Sequence, residues 1–296
     1  MSIKLVSILA AVISLFIIAA GIAGAEDPIL KPYVLAWSGA GTIEKKLGEV
    51  KAAVAQHGFQ VAGEYSPYKG AHVVVVTSDA LRKSAAKSDF GAYGAAVRIS
   101  LTEVGNNLEI AYINPLYLAE VYRMKESLSA AAAGLEKALG KKTEFGSKEG
   151  LKASKLRKYH YMIMMPYFTD QIKLASYGSQ EEAIKEVEAN LAAHKGGTVK
   201  VYRVDIPGKK ESVFGVGISE GDGADARVMK VVDIGDPKHT AHLPYEVVVS
   251  DGSVYMLHGK FRIAIDFPDL TMGTFMKISG APSAIEEKLE LVAGGK

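Results

Sequence analysis

Short apolar runs and amphipathic stretches follow one another in the same succession in two parts of the chain. In residues 34–140 and again in residues 160–292, the pattern predicts a strand, a helix, two strands, a shorter helix, a hairpin and a closing helix. Recurrence of elements at similar spacing is typical of a duplicated unit. We therefore expect two copies of one α/β unit. A single larger α+β domain whose halves are alike by chance is the alternative.

Turn and cap residues place the boundaries of these elements. Gly58 ends the first helix, and Asp251-Gly252 is a dipeptide typical of hairpin turns. Ser179 and Glu182 form a capping box at the start of another helix. The predicted strands are 34–37, 59–65, 72–77, 95–102, 108–113, 160–168, 199–205, 213–218, 246–250 and 254–266. The predicted helices begin near residues 43, 80, 127, 179, 224 and 284.

Some predicted strands are apolar on both faces. Residues 73–76, 161–165 and 247–249 show no polar face, which is typical of strands covered on both sides. Residues 260–267 instead alternate, which predicts a half-exposed strand. Because burying a Val side chain is worth roughly 1.5–3 kcal/mol, the doubly apolar strands must be covered by the other copy or by another subunit.

The predicted fold class is therefore α+β. We expect two similar α/β sandwich units with ferredoxin-like helix and sheet layers, packed sheet to sheet as a pseudo-symmetric pair. The surface between the two units is called the seam below, and it is the default position for a ligand pocket.

The N-terminus has the pattern of an export signal. Lys4 precedes an uncharged apolar run, residues 5–25, that ends in Ala23-Gly24-Ala25. We expect a signal peptide, residues 1–25, cleaved after Ala25, and a mature protein in the periplasm or outside the cell. The alternative is an uncleaved anchor, because about 20 apolar residues also span a bilayer.

A lysine-rich segment separates the two predicted units, which are residues 26–140 and 159–296. Residues 141–158 contain seven basic and two acidic residues. The favoured interpretation is a solvated basic linker kept extended by its own charge. A docking strip for an anionic partner or a membrane surface is the alternative.

Composition excludes several classes of function. The net charge is only +2, so no global field attracts nucleic acid, and the absence of cysteine excludes disulfides and thiolate sites. No phosphate-binding loop, nucleophile elbow or zinc-protease motif occurs, and no catalytic residue is assigned. Glu220, Asp222 and Asp225 lack the spacing of a calcium loop, and they are expected to stabilise a helix start.

A resemblance to a known family lies before the second hairpin. Leu243-Pro244 followed by Tyr245 and the valine-rich strand 247–249 resembles the family catalogued as domain of unknown function 302, as does the surrounding order of elements. The second copy resembles it more clearly than the first, which has Gly94-Ala95 in place of Leu-Pro. The resemblance implies a compact α/β fold and no established activity.

Two groups of residues are candidate metal ligands. His160, Met162 and Met164 alternate along one predicted strand, and Met256 and His258 share a face of another. Imidazole with thioether is a ligand set that suits copper or haem iron. The alternative is that the methionines fill gaps in the core.

The second candidate group is His239 and His242, near Asp233 and Asp236. Imidazole with carboxylate suits zinc or copper. Two histidines this close also arise by chance.

Three hypotheses about function follow. The first is an exported, non-enzymatic ligand-binding or accessory protein with its site at the seam, and with a small ligand or an exported protein as partner. The second is a periplasmic copper- or haem-binding protein that uses the His and Met ligands. The third is an enzyme with a dispersed site. Nucleic acid and, after signal cleavage, the membrane are not expected partners; self-association stays open.

Overall fold

Thirteen strands and ten α-helices form the part of the chain that the computed structural model describes, residues 27–295. The predicted signal peptide, residues 1–25, lies outside it. Mixed helix and sheet agree with the expected α+β class. Below, the first half is residues 27–158 and the second half is residues 159–295.

The first half contains eight strands and five helices. They are β1 (Ile29–Leu30), β2 (Tyr33–Ala40), α1 (Ile43–Gln56), β3 (Gln60–Tyr65), β4 (Ala71–Thr77), α2 (Asp79–Ala86), β5 (Ala96–Val104), β6 (Asn107–Ile113), α3 (Pro115–Val121), α4 (Ser129–Leu139), β7 (Thr143–Phe145), β8 (Leu151–Lys152) and α5 (Ala153–Leu156). A 3-10 helix, Gly91–Gly94, precedes β5.

The second half contains five strands and five helices. They are β9 (Ile172–Ser176), α6 (Gln180–Ala192), β10 (Thr198–Asp205), β11 (Glu211–Ile218), α7 (Asp225–Val232), β12 (Tyr245–Ser250), β13 (Ser253–Met256), α8 (Gly259–Asp266), α9 (Met272–Met276) and α10 (Ala281–Val292). Two further 3-10 helices are Lys195–Gly197 and Thr240–His242. The second of them precedes β12, as the 3-10 helix of the first half precedes β5.

Eleven strands form one sheet in the order β7-β2-β6-β5-β4-β3-β10-β11-β12-β13-β9. Numbered in chain order, the five main strands of each half lie in the order 1-5-4-3-2, and the two halves meet at their second strands, β3 and β10. This joint is short, with Tyr202 opposite Gly63 as its registered pair. A side chain at Gly63 would meet the Val201 carbonyl oxygen at 1.8 Å, so the joint requires glycine there.

The sheet folds over at the joint. Five strand spacings separate β5 from β12, and in a flat sheet they would span about 24 Å. Yet Arg98 on β5 contacts Glu246 on β12 at 3.0 Å. The faces of β5 and β12 that carry Arg98 and Glu246 are therefore directed towards each other.

Two of the three doubly apolar stretches, residues 73–76 and 247–249, are strands covered on both sides, as predicted. Val73–76 and Val247–249 have no exposed surface. On β4, Val75 is opposite Arg98 and faces the seam, so its neighbours Val74 and Val76 face the helices.

Two predicted strands are wrong. Residues 160–168 form turns, with Met162, Ile163 and Met164 exposed, and residues 259–266 form helix α8. Helix α8 lies between two apolar clusters, because Phe261 and Ile265 pack in the seam while Ile263 packs in the second-half core. Apolar residues 261, 263 and 265 lie on different sides of this helix, and the charged Arg262 and Asp266 are buried as well, so the sequence alternates as that of a strand does.

The interpretation of residues 141–158 as an extended solvated linker is also wrong. Strand β7 extends the sheet beside β2, β8 pairs with β1, and α5 buries Leu156. Its apolar residues, which include Phe145 at the sheet edge, anchor the segment while its lysines remain exposed.

None of the helices within residues 27–295 has the length and apolar character that crossing a bilayer requires.

Candidate functional site

Five titratable side chains meet at the seam without access to solvent. Arg98 comes from the first half, and His242, Glu246, Arg262 and Asp266 come from the second. None is more than 5% exposed. We call these five residues the seam cluster.

Arg98 connects the two halves through its guanidinium group. Nη1 donates to Glu246 Oε1 at 3.0 Å, and Nε donates to the carbonyl oxygen of Ala241 at 2.8 Å. The hydroxyl of Tyr202 donates to the same Glu246 oxygen at 2.6 Å. Because charge-assisted hydrogen bonds are the strong ones, the contact between Arg98 and Glu246 is a strong polar connection across the seam.

Helix α8 supplies two members of the seam cluster, Arg262 and Asp266. Arg262 and Asp266 are one helical turn apart, and the guanidinium Nη1 contacts the Asp266 carboxylate. Arg262 Nη2 donates to the carbonyl oxygen of His242. The imidazole Nδ1 of His242 lies 2.8 Å from Asp266 Oδ2, and its Nε2 lies 3.3 Å from the Tyr245 hydroxyl.

The environment fixes the protonation of His242 and Asp266. Burial and the positive Arg262 lower the pKa of His242 to about 4. Burial alone would raise the pKa of Asp266. The positive charge of Arg262 and the hydrogen bond with His242 outweigh the effect of burial and lower this pKa to about 2. At neutral pH the cluster therefore holds a neutral imidazole beside an aspartate anion.

A further buried carboxyl group joins the halves near the joint. Asp225, at the start of α7, accepts from the Tyr65 hydroxyl of the first half at 3.0 Å and from the Ile218 amide at 3.2 Å. Complete burial raises its pKa to about 7. The expectation that Asp225 stabilises a helix start is therefore incomplete.

An open cleft lies along the seam beside these groups. It has a volume of about 230 Å³ and is lined by Tyr68, Lys69, Gly70, Thr102 and Glu103 of the first half and by Ala226, Met229, Lys230, Asp233 and Lys238 of the second. We call it the seam cleft. Its lining contains three lysines and two carboxyl groups.

A chain of hydroxyl groups forms the back of the seam cleft. The Tyr68 hydroxyl and the Thr102 hydroxyl each lie 2.8 Å from Thr240 Oγ1. Burial raises the pKa of Tyr68 to about 12, so its hydroxyl keeps its proton and can donate.

The predicted pair His239 and His242 lies near the cleft, but the two rings have different partners. His239 Nδ1 lies 3.0 Å from Asp233 Oδ1, whereas His242 contacts Asp266. Asp236 pairs with a lysine instead. Within residues 27–295, no group of three or more His, Asp or Glu side chains has the geometry to hold a metal ion.

The His and Met residues proposed as copper or haem ligands lie on different elements. His160 is in a turn and its Nδ1 is 2.7 Å from the Met162 carbonyl oxygen. Met164 is exposed, whereas Met256 is buried on β13. His258 caps α8 by accepting from the Lys260 amide. The common strand face expected for the first three residues is therefore absent, and binding of copper or haem stays a prediction.

Four members of the seam cluster, Arg98, Glu246, Arg262 and Asp266, are missing from the sequence-based candidates. Two signals were available. Arg98 is a charged residue inside an otherwise uncharged predicted strand, 95–102, and Arg262 and Asp266 have i, i+4 spacing. Pairing across 148 residues, as between Arg98 and Glu246, has no local signature.

Comparison with protein families, with curated proteins and with solved structures finds no match for this chain.

Proposed function

We propose that this chain is an exported, non-enzymatic binding protein that holds a small anionic molecule in the seam cleft. The observation that carries the proposal is the composition of that cleft: both halves line it, and Lys69 and Lys230 form no ion pair among residues 27–295. Two unneutralised ammonium groups beside the hydroxyl of Tyr68 suit a carboxylate or a phosphate.

A duplicated origin is part of the proposal. It is supported by the strand order 1-5-4-3-2 in both halves and by the 3-10 helix that precedes the fourth strand of each. Two such units would form a pseudo-symmetric pair, and kinship with the domain of unknown function 302 family would explain the Leu243-Pro244 segment.

A binding role is favoured over catalysis by the position of the titratable groups. The residues with strongly shifted acid or imidazole pKa values, Asp225, His242 and Asp266, are fully buried. A general acid or base must come within hydrogen-bond reach of its substrate, and these side chains have no path to one in this conformation. Location in the periplasm or outside the cell is supported by the Lys4 and Ala23-Gly24-Ala25 pattern.

Ligand binding to the double variant Lys69→Ala/Lys230→Ala tests the proposal. Small carboxylic acids and phosphate monoesters are screened for a rise in Tm of the wild-type protein, and the dissociation constants of those that bind are measured by calorimetry. We expect the double variant to weaken binding about tenfold or more, because each lysine contributes a charge-assisted contact.

The matched control is Lys45→Ala/Lys137→Ala, which removes two exposed lysines that do not line the cleft. It should bind as the wild type does. Equal weakening by both pairs would show only a general charge effect, and no loss in the cleft variant would place the ligand elsewhere; either result rejects the seam cleft as the site.

A further inference from the structure

Six of the nine exposed large apolar side chains of the described chain lie in two segments, residues 162–167 and helix α9. At the tip of the first, Ile163 is 85% and Met164 is 97% exposed. On α9, Met272 and Met276 are exposed, and no residue of this helix is buried. Isolated surface hydrophobics are normal, but a contiguous group marks an interaction surface. We call residues 162–167 and α9 the methionine patch.

The two segments of the methionine patch adjoin. The Tyr161 hydroxyl donates to the Leu270 carbonyl oxygen at 2.5 Å, which ties the turn to the segment before α9. A small cavity between them is lined by Met165, Met272 and Phe275 together with Tyr161. Residues of both segments therefore line one surface.

A strip of exposed lysines borders the methionine patch. Lys148, Lys152, Lys155 and Lys158 are exposed, and none of them forms an ion pair among residues 27–295. We call these four residues the lysine strip. A surface cavity of about 440 Å³ is lined by Lys155, Lys158 and Tyr161, with Glu149 and Asp269 as its acidic residues. Tyr161 thus borders both surfaces.

The described chain begins at the lysine strip. Asp27 Oδ1 and Oδ2 accept from the Ser154 amide at 3.0 Å and from the Ser154 hydroxyl at 2.5 Å, and β1 pairs with β8. The sequence before Asp27 contains the uncharged apolar run 5–25. A segment with the composition of a membrane-inserting stretch therefore leads directly into the lysine strip.

We propose that the methionine patch and the lysine strip together dock on a membrane surface that contains anionic lipid. The exposed Ile163 and Met164 would enter the boundary between headgroups and acyl chains, and the lysines would contact the headgroup phosphates. The apolar run before Asp27 would bring this face to the bilayer during export, whether or not it is then cleaved. This replaces the expectation of no membrane contact after cleavage.

The contribution of the lysine strip sets the expected size of the effect. A lysine near an anionic membrane surface is worth roughly fivefold in membrane affinity. Four such residues explain specificity for anionic lipid, whereas the apolar tip explains why a label at position 164 should leave water. The net charge of the whole chain is only +2, whereas residues 141–158 alone carry a net charge of +5. The positive charge is therefore concentrated in this segment.

The experiment uses the absence of cysteine from the chain. A single cysteine in the full chain, Met164→Cys, is labelled with an environment-sensitive fluorophore, and its emission is recorded on vesicles of phosphatidylcholine with and without phosphatidylglycerol. The control label is at Asn106→Cys, an exposed position in the turn before β6, about 26 Å along the strand from Asn114 at its other end. We expect a blue shift at position 164 only on vesicles with phosphatidylglycerol, and no shift at position 106.

Charge reversal separates docking of this face from attachment through the N-terminal run. In Lys155→Glu/Lys158→Glu, the blue shift at position 164 should require at least about 25-fold more phosphatidylglycerol vesicles, even where the protein still sediments with them. Far-ultraviolet circular dichroism checks the fold of each variant. An unshifted label at position 164 on sedimenting protein, an equal shift at position 106, or a shift insensitive to charge reversal would each overturn the proposal.

Discussion

At the scale of single residues, the pairing of Arg98 with Glu246 makes the clearest prediction. Arg98→Met removes the nearest cation from the buried Glu246 and leaves it only the longer 3.8 Å contact with Arg262, and removing one partner of a buried ion pair typically costs about 3–5 kcal/mol. We expect a loss of that size in the free energy of unfolding, measured by urea denaturation.

The control for Arg98→Met is Arg82→Met, which breaks an ion pair between Arg82 and the exposed Asp79 and should cost less than about 1 kcal/mol. The double variant Arg98→Met/Glu246→Gln should recover part of the loss, because it removes both charges. If Arg98→Met were no more costly than Arg82→Met, the seam cluster would not hold the halves together.

Asp225 predicts a pH dependence of stability with a defined sign. The pKa of Asp225 is about 7 in the folded state and 3.8 for an ordinary aspartate, so the folded state binds the proton more tightly than the unfolded state does. The stability it contributes is complete below about pH 4 and is lost as pH rises towards 7. The wild-type protein should therefore lose stability relative to Asp225→Asn across this window, measured as the difference between their unfolding free energies.

His242 has the opposite sign, which is why the comparison with Asp225→Asn is needed. Its folded pKa of about 4 lies below the value of 6.5, so its contribution is present above pH 6.5 and is lost as pH falls towards 4. In the unaltered protein the two slopes oppose each other. The control is Asp222→Asn, because Asp222 is exposed. If the unfolding free energy of Asp225→Asn changed with pH as that of the wild type does, Asp225 would not be the group responsible.

At the scale of elements, the joint between β3 and β10 depends on one glycine. Gly63→Ala would place Cβ against the backbone oxygen of Val201, and strands cannot pair at that distance without a backbone shift. We expect a destabilisation of at least about 2 kcal/mol in urea denaturation, within the range for overpacking.

Gly48→Ala is the matched control for the joint. Gly48 lies on the exposed side of α1, where an added Cβ meets nothing within 4 Å. Replacing a helical glycine by alanine is expected to stabilise by about 0.5–1 kcal/mol. If Gly63→Ala and Gly48→Ala changed the unfolding free energy by similar amounts, strands β3 and β10 could move apart without loss of stability.

The local pattern predicts those elements whose surroundings are simple. Val73–76 form a strand covered twice, and Ser179 caps α6 by accepting from the Glu182 amide, as their sequences indicate. The Glu182 carboxylate accepts from the Gly178 amide rather than from the Ser179 amide expected in a capping box. Prediction failed at α8, because this helix lies between two cores and its charged residues Arg262 and Asp266 are buried rather than exposed. It failed at residues 160–168 because Tyr159 and Phe168 anchor a turn whose apolar tip remains exposed.

At the scale of the whole molecule, contact between the two halves at the seam could be predicted from an argument about coverage, whereas the residues that meet there could not. Doubly apolar strands required a second cover, and that requirement predicted contact at the seam. Arg98 is 148 residues from Glu246 in the sequence, and only the folded sheet brings the two side chains together. The one member of the seam cluster found from sequence, His242, was proposed for its proximity to His239, which has a different partner.

The shared core also predicts how the molecule unfolds. One apolar cluster contains Val75 and Ile99 of the first half together with Tyr202, Val248 and Phe261 of the second, so neither half can unfold without exposing the core of the other. The single tryptophan, Trp37, reports on the first half, and a fluorophore on Ala189→Cys, exposed on α6, reports on the second. Both signals should follow one urea transition with the same midpoint. In Arg98→Met the two midpoints should fall together rather than separate, because the lost charge pair belongs to both halves. Separate midpoints in the wild type would mean that each half is stable alone and that the seam is only a contact between them.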